Sequence, residues 1–164
     1  MKAQVWSTDF IVSAVIFLSA FLLLMFSWSY VTIITQEQAA TNDIESAVLE
    51  VTDILVRSPG LPKNWTVINV KSIGLAVKEN ELDDVKIENF LALDYGKSKD
   101  LLGIRNYDYY LEAYNLDNST VKTQSGTDII KGQYPADPAI VIPLERYALY
   151  NENIVKLKFV FWAG

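Results

Sequence analysis

From Phe10 to Ile34 the chain runs for 25 residues without a charge, and few folds can accept such a segment. As a helix it reaches roughly 37 Å, more than the ~30 Å hydrocarbon core of a bilayer. The reading is a membrane-spanning helix. Lys2 is the only cation ahead of the run, and no small-residue cleavage site lies beyond it, so the segment is expected to stay with the mature chain. With Lys2 inside, the amino terminus is cytoplasmic and the remainder extracytoplasmic. The expected organisation is a leader over 1–3, a membrane and assembly helix over 4–36, and a head over 37–164.

The sequence beyond the membrane helix has the size of one domain. Hydrophobic residues make up 51% of the chain, enough for a head core once the spanning segment is set aside. With Lys2 and Asp9 excluded, the head carries 13 Lys/Arg against 19 Asp/Glu, a net charge of −6 spread along the sequence. No basic stripe exists for a phosphate backbone, so nucleic acid is excluded as a partner. Cys and His are both absent, which removes disulfides, thiolate chemistry, zinc–thiolate sites, the usual transition-metal ligand and the Ser-His-Asp arrangement. No cofactor, metal site or catalytic set is expected, and the chain is read as a non-enzyme.

The helix continues past the apolar run. Ile44, Val48, Val51 and Leu55 form one stripe on a 3.6-residue period, with Glu45, Glu50 and Asp53 largely off it. Arg57-Ser58-Pro59-Gly60-Leu61-Pro62 supplies the stop. A helix from about Thr8 to Val56 would hold the head by its second half. Downstream, Thr66 to Val70 is β-branched and reads as a short strand. Glu79 to Tyr95 reads as a helix capped by Asn80, with Asp83 and Asp84 at its positive end and Leu82, Val85, Phe90 and Leu93 on its apolar face. Lys97 to Leu102 adds a helical turn ended by Gly103. Tyr107, Tyr109, Leu111 and Ala113 alternate with polar neighbours as a strand. Tyr147 to Tyr150, a turn at Asn151-Glu152-Asn153, and Ile154 to Phe161 read as a terminal hairpin. The fold class is α+β: a long N-terminal transmembrane and spine helix, then a small antiparallel β-rich head wrapped on it.

Lys2-Ala3-Gln4, a few polar residues and a long apolar helix resemble the class III signal of archaeal type IV pilin-like proteins. In the head, Ser58-Pro59-Gly60-Leu61-Pro62-Lys63-Asn64-Trp65, then Ile73-Gly74-Leu75-Ala76, then Asp100-Leu101-Leu102-Gly103-Ile104 look like the spacing of pilin-like ectodomains of that group. The resemblance covers most of the chain and implies a lollipop-shaped subunit. It also implies a prepilin peptidase cutting between Ala3 and Gln4 on the cytoplasmic side, assembly through the N-terminal helix with other pilin subunits, and dependence on an assembly platform and ATPase. One departure is visible. Many pilins carry a Glu as the fifth mature residue; here the fifth counted from Gln4 is Thr8 and the acid is Asp9, the sixth. Asp9 is either an assembly residue meeting a neighbouring subunit or, with Ser7 and Thr8, part of a helix cap.

The remaining features are weaker. Glu79, Glu81, Asp83, Asp84 and Glu88 lack the alternation and central Gly of a calcium loop and suit a solvated helix start. Tyr107, Tyr109, Tyr110, Tyr114 and Trp162 are the residue types that bind sugars, but at strand spacing they read as core or cross-strand pairs. Asn64-Trp65-Thr66 and Asn118-Ser119-Thr120 are N-glycosylation sequons on the extracytoplasmic side. The function expected is a structural subunit of a type IV pilus-like surface filament or its initiating complex, a minor pilin with adhesion among its roles. The alternative is a membrane-anchored extracytoplasmic binding or accessory module that never polymerises.

Overall fold

The computed structural model describes residues 3–136, 138 and 140–163. The chain divides into two compact units, Met1–Asn42 and Asp43–Gly164. Helix α1, Ala3–Arg57, contributes to both. In the first unit the segment Thr8–Ile33 has a mean hydropathy of 2.6 and none of it is buried. Phe10, Phe17, Leu24 and Trp28 are all open to the surroundings. Two of its hydroxyls bond within the helix: Ser19 Oγ donates to the Val15 carbonyl and Thr32 Oγ1 to the Trp28 carbonyl, each at 2.8 Å. Such back-bonding lets polar side chains sit in an apolar surface without orphaned donors.

In the second unit the stripe on α1 enters the core. Ile44, Val48, Val51 and Leu55 are buried, sharing one cluster with Leu111, Ala113, Val155, Leu157, Phe159 and Phe161 from the sheet. After α1 come β1 (Ala76–Lys78), β2 (Glu81–Leu82), α2 (Asp84–Ala92), α3 (Tyr95–Leu102), β3 (Asp108–Asn115), β4 (Ile130–Gly132), β5 (Ile140–Tyr150) and β6 (Asn153–Ala163). They form one sheet in the order β1-β2-β5-β6-β3-β4. The α+β expectation matches this plan. The sheet is mixed, however, not wholly antiparallel, because β2 meets β5 in parallel at Glu81 and Leu149. The β5–β6 hairpin is closed by Asn151 and Glu152, both at positive φ (48° and 65°), the geometry a two-residue hairpin turn needs. β5 starts well before Tyr147. Its Pro143 is tolerated because β5 pairs along its length only with β6 and touches β2 at one position.

Two local expectations are corrected. Thr66 to Val70 is a turn and not a strand: Asn69 Oδ1 accepts from the Thr66 amide at 2.6 Å, and the Val70 amide bonds to the Thr66 carbonyl at 3.2 Å. A side chain that bonds its own backbone competes with a ladder, and here it wins. Glu79 to Tyr95 is not one helix. Asn80, at φ 60°, turns the chain between β1 and β2, and Asp83 is the cap of α2, accepting from the Lys86 amide at 3.2 Å. A second cap, Asp94, starts α3, which ends at left-handed Gly103 as the sequence predicts. On α2 the buried side chains are Lys86, Ile87 and Phe90, while Val85 faces out.

Gly74 marks where the chain after α1 folds back on itself. A Cβ there would lie 2.2 Å from the Ser58 carbonyl oxygen, and its own carbonyl accepts from the indole N–H of buried Trp65 at 2.9 Å.

A fragment beginning near Gln38 is expected to be soluble and folded, with mixed α and β circular dichroism, because the stripe has its partners within the second unit. Val51→Asp in that fragment would bury an unpaired carboxylate at a cost of several kcal/mol. Loss of its cooperative thermal transition is the expected outcome, and a normally melting Val51→Asp fragment would contradict the packing of α1 into the head.

Candidate functional site

The residues singled out in the sequence fall in different places. Lys2 lies outside the described residues. Ala3 and Gln4 open α1. Asp9 is exposed inside α1, at its seventh residue, with no acid in the first turn. The cap reading of Ser7, Thr8 and Asp9 is thereby corrected: a cap stands outside the helical geometry, and these three are well within it. Asn64 and Asn118 are both exposed, Asn64 on a turn and Asn118 on a bend. Asn118 sits at φ 64° in a loop held by Asp117, whose Oδ1 accepts from the Ser119 amide at 2.9 Å and its hydroxyl at 2.6 Å. Trp65 turns inward and leaves Asn64 open. Nothing in the described geometry brings these positions together; they are separate features of one chain. Among the described residues no group of acids is placed to hold a metal ion.

The head also holds a site that the sequence reading missed. Lys131, on β4, is buried, and its ammonium donates to the Leu93 carbonyl at 2.6 Å and the Leu91 carbonyl at 3.2 Å. These carbonyls stand at the C-terminal end of α2, where a cation satisfies free acceptors and meets the negative end of the dipole. It lies 5.1 Å from the centre of the Phe90 ring. Burial lowers its pKa, with Asp94 opposing. Immediately after it, Gly132 takes φ 88°, and a Cβ there would come within 2.1 Å of the Tyr109 carbonyl oxygen. Only glycine lets β4 approach β3 so closely before the chain turns away.

Beside β4, a polar network fastens α3 to β3. The Tyr109 hydroxyl and Ser98 Oγ, both buried, are 2.6 Å apart. The Tyr95 hydroxyl accepts from the Tyr109 amide at 2.9 Å and donates toward the Tyr109 carbonyl (3.0 Å) and Asp108 Oδ1 (3.2 Å). Lys99 Nζ reaches the same Asp108 oxygen at 2.7 Å. Burial, aided by the Asp108 charge and opposed by the Tyr109 backbone bond, pushes the Tyr95 pKa up to about 12. Burial raises Tyr109 further, against the Ser98 bond. A single network thus joins a helix and a strand that periodicity treats separately.

No protein-family model, curated protein or solved structure matches the chain.

The tyrosines set an alkaline limit. A phenol whose folded pKa lies above its ordinary value of 10.0 supplies stability that is complete below that value and lost as pH rises from it through the folded pKa. Lys86 and Lys131, lowered by burial, act in the opposite sense, relieving a penalty as pH approaches 10.5. Tyr95, Tyr109, Tyr110, Tyr114 and Tyr150 all have raised pKa values, and the network residues Tyr95 and Tyr109 are expected to give tyrosinate absorbance only together with loss of circular dichroism. Ionisation of Tyr95 and Tyr109 near their ordinary value with the fold intact, read as the absorbance missing in Tyr95→Phe and Tyr109→Phe, would contradict the network.

Proposed function

We propose that this protein is a membrane-anchored structural subunit of a type IV pilus-like surface filament, or of the complex that initiates one, in the manner of a minor pilin. The observation that carries the reading is α1 itself: one helix, Ala3–Arg57, combines a segment that is apolar and open on all sides with a stripe buried in a folded head. Such a segment must be covered by lipid or by other helices. A filament core of packed helices supplies the second kind of cover after a bilayer supplies the first. Lys2-Ala3-Gln4 ahead of the segment provides the processing site, so a prepilin peptidase, an assembly platform and its ATPase are the implied partners.

Asp9 is assigned to assembly. An acid left at the centre of a bilayer costs roughly 2.5–3.5 kcal/mol, so it stays near the interface or finds a cationic partner such as the new amino terminus of a neighbour. Exposed Asn64 and Asn118 are assigned as glycan acceptors on the extracytoplasmic side.

Intact mass of the protein from cells carrying the peptidase tests this directly. The expected mass begins at Gln4 and carries glycan at one or both sequons. An intact Met1 terminus would overturn the filament reading in favour of the anchored, non-polymerising module. Asp9→Ala is expected to enter filaments several-fold less well than wild type while the head melts normally; equal incorporation would remove Asp9 from the assembly role.

A further inference from the structure

A groove of about 750 Å³ opens where the end of α2, the start of β3, β4 and its following loop, and the end of β6 meet. That volume lies within the range of small-ligand sites. Asp108 and Trp162 are direct cross-strand partners on β3 and β6, so their side chains share one face of the sheet, opposite the buried Tyr109, Leu111 and Ala113. Tyr95 reaches the groove from α3 and Tyr134 from the loop after β4. Gly132, with no room for a side chain against Tyr109, sets the departure of that loop.

Tyr134 is the informative residue. Its ring meets the Tyr110 ring edge-on at 5.5 Å and 77°, and the Lys158 ammonium stands 5.3 Å from its centre. Held in this way, it nevertheless remains 60% exposed. Burying Tyr134 would have been favourable, since aromatic rings carry large apolar area. Three aromatic rings with open surface, Tyr95, Tyr134 and Trp162, thus border one hollow whose polar groups are a carboxylate (Asp108), an amide (Gln133) and an ammonium already occupied by helix carbonyls (Lys131).

We infer that this groove binds neutral sugars in pyranose form. A pyranose presents a face of C–H bonds, which an aromatic ring accepts, and a rim of hydroxyls that donate to a carboxylate and exchange bonds with an amide. The groove's cations are already engaged: Lys99 is paired with Asp108 at 2.7 Å, Lys131 is spent on α2, and Lys158 stands over the Tyr134 ring. Trp162 and Tyr134 provide the stacking surfaces, and Asp108, fixed by Tyr95 and Lys99, accepts from the sugar hydroxyls. The site is independent of whether the chain polymerises, since all its residues lie in the head.

The test is titration of the full-length protein, in a detergent without a sugar headgroup, with neutral linear trisaccharides of glucose, mannose, galactose and N-acetylglucosamine, read by calorimetry. At least one trisaccharide is expected to bind. Trp162→Ala and Tyr134→Ala should each weaken that binding by about tenfold or more, equivalent to about 1.4 kcal/mol. Tyr134→Phe should retain it, because the ring and not the hydroxyl does the stacking. Tyr147→Ala, an exposed tyrosine elsewhere on β5, should leave it unchanged. Tyr134 lies on an exposed loop, so its pair of variants decides the matter even if Trp162→Ala fails to fold. No binding by any trisaccharide, binding indifferent to Tyr134→Ala, or equal loss in Tyr147→Ala would overturn the site.

Discussion

Ile44, Val48, Val51 and Leu55 tie the C-terminal part of α1 into the core of the head. All four are buried in the cluster that includes the inner faces of β3 and β6. Fully burying side chains of this kind is worth about 1.5–3 kcal/mol each before entropy is charged. A six-stranded sheet with one face of Tyr109, Leu111, Leu157, Phe159 and Phe161 needs a cover, and the C-terminal part of α1 is central to it, supplemented by α2 and the segment containing Trp65, Ile73 and Leu75. Upstream, the Thr8–Ile33 segment of the same helix is apolar and unburied. One element therefore carries both an unburied apolar segment, Thr8–Ile33, and a buried stripe that begins at Ile44.

Around that core the polar groups are spent on positioning. Lys131 holds the end of α2, Lys86 donates to the Ala76 carbonyl at 2.6 Å, and Trp65 holds Gly74. The Tyr150 hydroxyl donates to Asp84 at the start of α2. Each is a buried or half-buried group whose bond would be costly to lose and gives little net gain when made, so such bonds fix geometry more than they add stability. They join elements remote in sequence, and the groove beside β4 inherits its shape from them.

Much of this was legible in the residues. The uncharged run, the α1 stripe, the alternation in β3 and the closing hairpin are strong periodic signals, and the structure has each of them. The illegible parts depended on side-chain bonds and on pairing between distant segments. The Asn69 turn overrode the β-branched composition of Thr66 to Val70. Asn80 and Asp83 are both good caps, and only the β1–β2 turn decides that Asp83 is the one used. β4 is three residues long and β2 two, too short for periodicity to detect. The first half of β5 carries Pro143, which argues against a strand unless one edge is known to be nearly free. The groove was invisible for the same reason: Asp108, Lys131, Tyr134 and Trp162 converge only through strand order.

The proposed membrane placement of Thr8–Ile33 can be tested directly, because the chain has no native cysteine and single cysteines can carry spin labels. With the full-length protein in lipid bilayers, collision rates with dissolved oxygen and with a water-soluble metal chelate distinguish hydrocarbon from water at each label. A label at Leu24 is expected to meet oxygen and not the chelate, and one at Leu49, on the exposed side of the head-bound segment, to meet the chelate. Chelate access at Leu24 equal to that at Leu49 would contradict a membrane-embedded first half of α1 and the assembly role built on it.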